Sequence, residues 1–361
     1  MLVSQALSKP ARIFAGALLV VAIVAPLYIL GKFPTLEWTY VFAFLIAMIG
    51  INLLTGFCGQ ISLGNSAFMA IGGYATSILV FKYGWSYLAT MPVAAALAGL
   101  GGVLLGIPAL KLRGLYLGLA TFALAISMPT LIRHFDTLTG GSQGISLPPA
   151  EDPFGLVAAQ QLTSEQWLYY LGLVLLVAIF LFSRALLRTD VGRAFKTVRE
   201  SETAAVANGV SLTYYKTLAF GLSAIFAGVA GSLDAITTAY VSPDSFDVNL
   251  SLALVVGAVI GGLGTMAGPA LGAIFVVWSP IYAQQIFKAR PDIVYGVLLI
   301  ALMYTMPQGI MGGFYRVAGW YLRQRAARRG VPVEAPGTTP APVAGATKPA
   351  ESGRAGGARL T

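Results

Sequence analysis

Apolar runs of roughly 17 to 24 residues, broken at glycine, proline and charge, follow one another along most of the chain. They fall near residues 13–30, 38–56, 62–81, 87–110, 114–132, 166–183, 217–239, 249–263, 267–287 and 292–309. At 1.5 Å of rise per residue, each is about long enough to cross some 30 Å of hydrocarbon as an α-helix. The pattern predicts an all-α integral membrane protein with about ten transmembrane helices. The first run follows Lys9 and Arg12, as the core of a signal peptide would, but its length and the lack of a small-x-small cleavage site predict a retained span. The third and eighth runs are rich in glycine and small polar residues, so each is a candidate for a broken or re-entrant helix, which survives at membrane depth only where it is buried in protein or lines a cavity.

Polar positions between the runs set an orientation. With ten spans and a cytoplasmic N-terminus, Lys9, Arg12, Lys111, Arg113, Arg184, Arg188, Arg193, Lys196, Arg199, Lys216 and the basic tail from Arg316 share the inner side. Of the 23 Lys and Arg residues, only Lys32, Lys82, Arg133, Lys288 and Arg290 fall outside, among the acids Glu37, Asp136, Glu151, Asp152, Glu165, Asp244, Asp247 and Asp292. The positive-inside rule then predicts that both the N and C termini are cytoplasmic. Residues 1–315 read as a transmembrane domain carrying a cytoplasmic segment at 184–216. Residues 316–361, basic and then rich in Pro, Ala and Gly without periodicity, read as a disordered cytoplasmic tail.

Composition agrees with lipid as the solvent: 57% of residues are hydrophobic and only 10% charged, against about 25% charged in soluble domains, and the mean hydropathy is +0.77. One cysteine, Cys58, and one histidine, His134, exclude an internal disulfide and leave no metal site. No catalytic set can be assembled around them, and without a GxxxxGK[ST] loop the chain does not hydrolyse ATP itself. The net charge of +9 is spread over loops and tail without interleaved aromatics, which argues against nucleic acid as a partner.

Three stretches carry candidate chemistry. Between Arg184 and Lys216, residues Val191 to Asn208 contain no proline, and Phe195, Val198, Ala205 and Val206 recur near helical spacing among Arg193, Lys196, Arg199, Glu200 and Glu202. With Gly209 where a C-cap glycine belongs, this predicts a short amphipathic helix off the membrane, either lying on anionic lipid headgroups or docking a cytoplasmic partner. In GFCGQISLGNSAFMAIGGY (56–74), Gln60, Ser62, Asn65 and Ser66 are neutral hydrogen-bonding groups among glycines. They suit a pathway for a small polar solute or, equally, packing of helix against helix. GAVIGGLGTMAGPALG (257–272) is a weak echo of that stretch. Asp234 is the one acid that these spans place within the hydrocarbon, where a functional role is the default reading, although it lies close enough to the outer end to reach the interface.

Seven stretches in order resemble the LivM-type permease subunits of ABC importers for branched-chain amino acids: GQISLGNSAFMAIGGY (59–74), RGLYLGLATFALA (113–125), LTGGSQGIS (138–146), GRAFKTVRESETAAVANGVSLTYYK (192–216), YVSPDSF (240–246), GGLGTMAGPALGA (261–273) and MPQGIMG (306–312). The resemblance implies a multi-pass protein of the bacterial cytoplasmic (inner) membrane that forms half of a translocation pathway. Its partners would be a homologous LivH-type permease, two ATP-binding subunits that hold the ATP and magnesium, a periplasmic or extracellular substrate-binding protein, and membrane lipid. No cofactor is expected on this chain. Gly192, Arg193, Arg199, Glu200, Glu202, Ala204, Ala205 and Gly209 correspond to the family's coupling loop, which favours docking: an apolar helix face would enter a groove on the ATPase while the charges set register. Branched-chain amino acids are the leading substrate, with other small polar solutes in related permeases. A different class stays open, an ion-coupled transporter or channel using Asp234, as does a non-transporting scaffold.

Overall fold

The computed structural model describes residues 32–109, 112, 114–149, 163–286, 296, 300, 304 and 309–313. The first predicted span, most of the tenth and the 316–361 tail lie outside these residues, as do both termini. The eight spans predicted between them each coincide with a helix: α1 (Lys32–Ile51), α2 (Asn65–Tyr83), α3 (Tyr87–Ala109), α4 (Leu115–His134), α5 (Ser164–Leu186), α8 (Leu212–Thr238), α9 (Val248–Gly261) and α10 (Gly268–Ile286). Between α5 and α8 lie two shorter helices, α6 (Asp190–Glu200) and α7 (Glu202–Ala207). Among the described residues, six helical stretches are long and apolar enough to cross a membrane by themselves.

The spans run alternately up and down. At one end, the base, lie α6, α7, the exit of α1 and the turn from α9 to α10. At the other, strand β1 (Ile145–Ser146) pairs antiparallel with β2 (Tyr240–Val241), and Arg133 forms an ion pair with Asp244. Leu147 N–H donates to the Ala239 carbonyl at 2.8 Å and Tyr240 O–H to the Gln143 carbonyl at 2.7 Å, so this cap is stitched mainly through backbone groups.

Helix α8 is the axis of the bundle, packed against α1, α2 and α3. Of its apolar stretch 83% is buried, and 78% of that of α1, whereas α3 and α4 bury only 33% and α5 28%. The outward residues of these peripheral helices, including Leu100, Leu104, Leu119, Ile126, Val174 and Leu181, are exposed and apolar. A continuous apolar exterior of this kind is stable against lipid and not against water. Close approach of backbones replaces the missing hydrophobic drive inside lipid. A Cβ on Gly72 of α2 would sit 2.0 Å from the carbonyl oxygen of Gly228 in α8, so only glycine admits this crossing.

Both suspect spans depart from a plain helix. Chain from Gly59 to Gly64 is non-helical before α2 begins. Helix α9, with 14 residues, is about 21 Å long. It reaches 19 residues only with the preceding 3₁₀ turn Pro243–Phe246, and it turns back at Gly262 into α10.

Candidate functional site

The base is built from the polar interruptions of the sequence. Helix α1 ends in a π-helical turn, Asn52–Phe57, whose wider winding offers its carbonyls to other partners. The non-helical stretch that follows is buried at Gln60, Ser62 and Gly64, and several of its backbone groups find partners. Gln60 N–H donates to the Leu54 carbonyl (3.0 Å), and its own carbonyl accepts from Thr55 Oγ1 (2.9 Å). Leu63 N–H donates to Thr121 Oγ1 of α4 (2.9 Å), Gly64 N–H to Ser62 Oγ (3.4 Å), and Ser66 N–H to Ser251 Oγ of α9 (2.8 Å). This accounting is what lets irregular backbone exist at such depth.

Of the four neutral groups singled out at 60–66, all are buried, and Asn65 and Ser66 meet side chains of neighbouring helices. Ser251 donates to Ser66 Oγ (2.9 Å) and Ser223 of α8 to Asn65 Oδ1 (3.3 Å), while Asn65 Nδ2 finds no partner. Further along the same seam, Thr76 and Ser232 hydroxyls meet at 2.6 Å. The arrangement joins α2 to α8 and α9 within this chain. Asp234 is elsewhere, on α8 four residues before its last residue, Thr238; it is half-buried and makes no ion pair among the described residues.

The predicted single amphipathic helix is two. Ser201 adopts an extended backbone (φ −160°, ψ 118°), ends α6 and caps α7 by accepting from Ala204 N–H at 3.2 Å. Ser in the first cap position competes with helix continuation, and this signal is visible in the sequence at Ser201–Glu202. At the other end of α7, Gly209 takes a left-handed φ of +74° while its N–H donates to the Val206 carbonyl (2.9 Å) and Val210 N–H to that of Ala205 (2.9 Å). Those two bonds are a Schellman motif with glycine at C′.

One expectation changes here. The apolar face of α6 is not offered to a partner: Ala194 is buried, and Phe195 and Val198 are buried in the chain's own base in one cluster with Leu54, Cys58, Leu117, Ala219 and Phe220. Phe195 reaches this cluster because α6 folds back under α8 instead of lying free. Gly192 and Ala205 are buried with it. Exposed instead are Arg193, Lys196, Arg199 and Glu200 on α6, and Thr203, Ala204, Val206 and Ala207 on α7. Val206, 57% exposed, is the largest apolar group on that outer surface of α7.

Polar contacts tie this segment to the spans. Glu202 Oε1 accepts from Lys216 Nζ of α8 at 2.6 Å, with the lysine side chain only 4% exposed and the glutamate 29%. Beside them the Cys58 thiol is pushed up to about 12, chiefly by burial, with Lys216 opposing and Glu202 adding to the shift. It is a protonated packing group. The Arg199 guanidinium donates to the Gly56 carbonyl at the end of α1. Asn52 grips the turn between α9 and α10, its Nδ2 donating to the Thr265 carbonyl (2.8 Å) and its Oδ1 accepting from Gly264 N–H (2.7 Å). Asn52, Lys216, Ser223 and Ser251 were not among the sequence candidates. A lone Asn in an apolar run was the available signal for the first.

These features define a class: a multi-pass α-helical membrane protein with a sealed polar seam and a compact helical segment held beneath the spans. The family described as "Branched-chain amino acid transport system / permease component" matches residues 35–306, and the chain belongs to it. It is 32% identical over 319 residues to the high-affinity branched-chain amino acid transport system permease protein LivM of Escherichia coli, covering 83% of this chain and 75% of that protein. The corresponding protein of Salmonella typhimurium is 31% identical with the same coverage. A probable branched-chain amino acid transport permease protein LivM of Methanocaldococcus jannaschii is 23% identical over 314 residues, 74% of this chain and 89% of the relative. No solved structure is a significant match.

Proposed function

We propose that the chain is the LivM-type permease subunit of an ABC importer, carrying branched-chain amino acids across a bacterial inner membrane as half of a pathway shared with a homologous LivH-type permease. Two separate ATP-binding subunits, holding ATP and magnesium, power it, and a soluble binding protein delivers substrate from outside. Ten spans with both termini cytoplasmic complete the arrangement, and α6 and α7 then lie on the cytoplasmic side with the ATPases.

The observation that carries this reading is α7. A helix of six residues is too short to be stable alone, yet this one is capped at both ends, pinned by a buried ion pair and left with Thr203, Ala204, Val206 and Ala207 facing out. A rigid, small apolar knob rimmed by Arg193, Lys196 and Glu200 has the form of a docking element: the knob fills a groove and the rim sets register. Motion of an ATPase pair would move α6 and α7 as one piece with the base.

The test is mild-detergent purification of the tagged chain, followed by reconstitution of the recovered complex with its binding protein. Two ATPase chains and a homologous permease should co-purify, and uptake of labelled leucine, isoleucine or valine should require internal ATP. A chain that purifies alone, with uptake abolished by uncouplers and by Asp234→Asn but indifferent to ATP, would replace the importer with an ion-coupled carrier.

A further inference from the structure

We propose that Arg199 is a positioning residue that carries movement of the α6–α7 segment into α1 and the α9–α10 hairpin, through a joint made with Asn52, Gly56 and Gly264. The inference rests on the importer reading above and deepens it.

The joint is formed where three separate glycine-bearing stretches, at 56–59, 262–264 and 309, converge on one point of the base. A carbonyl at the C-terminal end of a helix lacks an intrahelical donor and lies at the negative end of the helix dipole, so a guanidinium suits it. Arg199 supplies that group to Gly56. The same side chain lies against the α9–α10 turn: a Cβ on Gly264 would stand 2.7 Å from Arg199 Nη1, and one on Gly56 would stand 2.5 Å from Gly264 N. A Cβ on Gly59 would meet the arginine stem at 3.1 Å. Gly309, in the last described stretch, closes on the turn from beyond, where its Cβ would lie 2.6 Å from Gly262 Cα. No side chain larger than hydrogen fits between the arginine and the two backbones it bridges.

Asn52 makes those two backbones one body. Its amide both donates to Thr265 and accepts from Gly264, as a neighbouring strand would. The end of α1 therefore cannot shift against the α9–α10 turn without breaking both bonds. Arg199 is the hydrogen-bonded attachment of α6 to that body, while Glu202–Lys216 attaches α7 to α8. Among the described residues the other arginine of α6 makes no such connection: Arg193 pairs with Asp190 one turn away, and both are largely exposed. A charge-assisted hydrogen bond is short and directional, so a displacement of α6 is either passed on to Gly56 and the hairpin or breaks the contact. Apolar burial of Phe195, being non-directional, holds α6 in place without transmitting its direction.

The experiment uses the complete reconstituted importer and reads ATP hydrolysis and solute uptake in the same vesicles, for wild type, Arg199→Gln and Arg199→Lys. Arg199→Gln should assemble with its ATPases and hydrolyse ATP at a rate within about twofold of wild type, while solute moved per ATP falls about tenfold, within the usual range of coupling free energies. Arg199→Lys, which retains the cation and can reach one carbonyl, should recover part of the loss. Unaltered transport per ATP in Arg199→Gln overturns the joint while leaving the importer intact. Loss of the ATPases from that variant overturns it too, because Arg199 would then belong to the docking surface. A wild-type complex that neither recruits ATPases nor uses ATP removes the reading on which the joint rests.

Discussion

The ion pair between Glu202 and Lys216 gives the sharpest quantitative test of how the α6–α7 segment is held. Lys216 lies in the second turn of α8, near the positive end of that helix's dipole, where a cation gains nothing from the backbone. Its side chain is 4% exposed, and Glu202 Oε1 at 2.6 Å is its one recorded counter-charge. Substituting Glu202→Gln leaves an ammonium in a site closed to water, for which breaking a buried pair costs about 3–5 kcal/mol. Substituting Lys216→Met leaves a carboxylate that is 29% exposed and can regain water, so that variant should lose less, about 1.5–3 kcal/mol for a hydrogen bond to a charged group. The double variant Glu202→Gln, Lys216→Met removes both charges and should lie close to wild type, as replacement of a buried pair by neutral groups commonly does. Unfolding in mixed detergent, followed by loss of helical signal, supplies the four stabilities of the cycle, and the coupling should exceed about 2 kcal/mol. Additive losses, with a double variant worse than either single one, would refute the claim that the two side chains compensate each other's burial.

Phe195→Ala should cost about 3–5 kcal/mol by emptying the centre of the basal cluster, and thermal unfolding of the purified chain would show it. Val206→Asp changes only an exposed side chain, so insertion and melting should be unaffected while co-purification of ATPases is lost; retention of the partners would remove α7 from the interface. Gly209→Ala places a Cβ in the left-handed region with no neighbour within 4 Å, so its effect is backbone strain of about 1–2 kcal/mol and not a clash, and transport should fall in step with stability alone. Cys58, fully buried and with its thiol pushed up to about 12, should resist maleimide in native vesicles near pH 7 and react only after unfolding; rapid labelling would show that the base opens.

Much of the architecture was legible because span length and apolar content are local quantities. Runs of about 20 apolar residues become helices wherever lipid is the solvent, and the eight runs within the described residues did so. Turn chemistry was partly legible as well. Thr163 caps α5 through the Thr-x-x-Gln box that its sequence spells, accepting from Gln166 N–H at 3.3 Å. Ser201, which divides one expected helix into two, carried a comparable signal.

What the sequence could not assign was which face meets which neighbour. An amphipathic pattern states that Phe195 and Val198 must be covered, without saying whether by a partner, by lipid or by this chain. Folding answered that by laying α6 under α8, which reversed the expected use of its apolar face. Gln60, Ser62, Asn65 and Ser66 read equally well as a pathway or as packing; only the fold showed Ser223 and Ser251, 158 and 185 residues away, reaching Asn65 and Ser66, and Thr121 holding the Leu63 N–H between. Hydrogen bonds are short and directional, so their partners depend on distances that only the closed bundle sets. The sequence determined that this chain lives in a membrane as a bundle of helices, because hydropathy is a property of each segment alone. The tertiary structure decided how Arg199, Asn52 and Lys216 link those segments, because a polar contact exists only where a donor and an acceptor from distant segments have been brought within about 3 Å of each other.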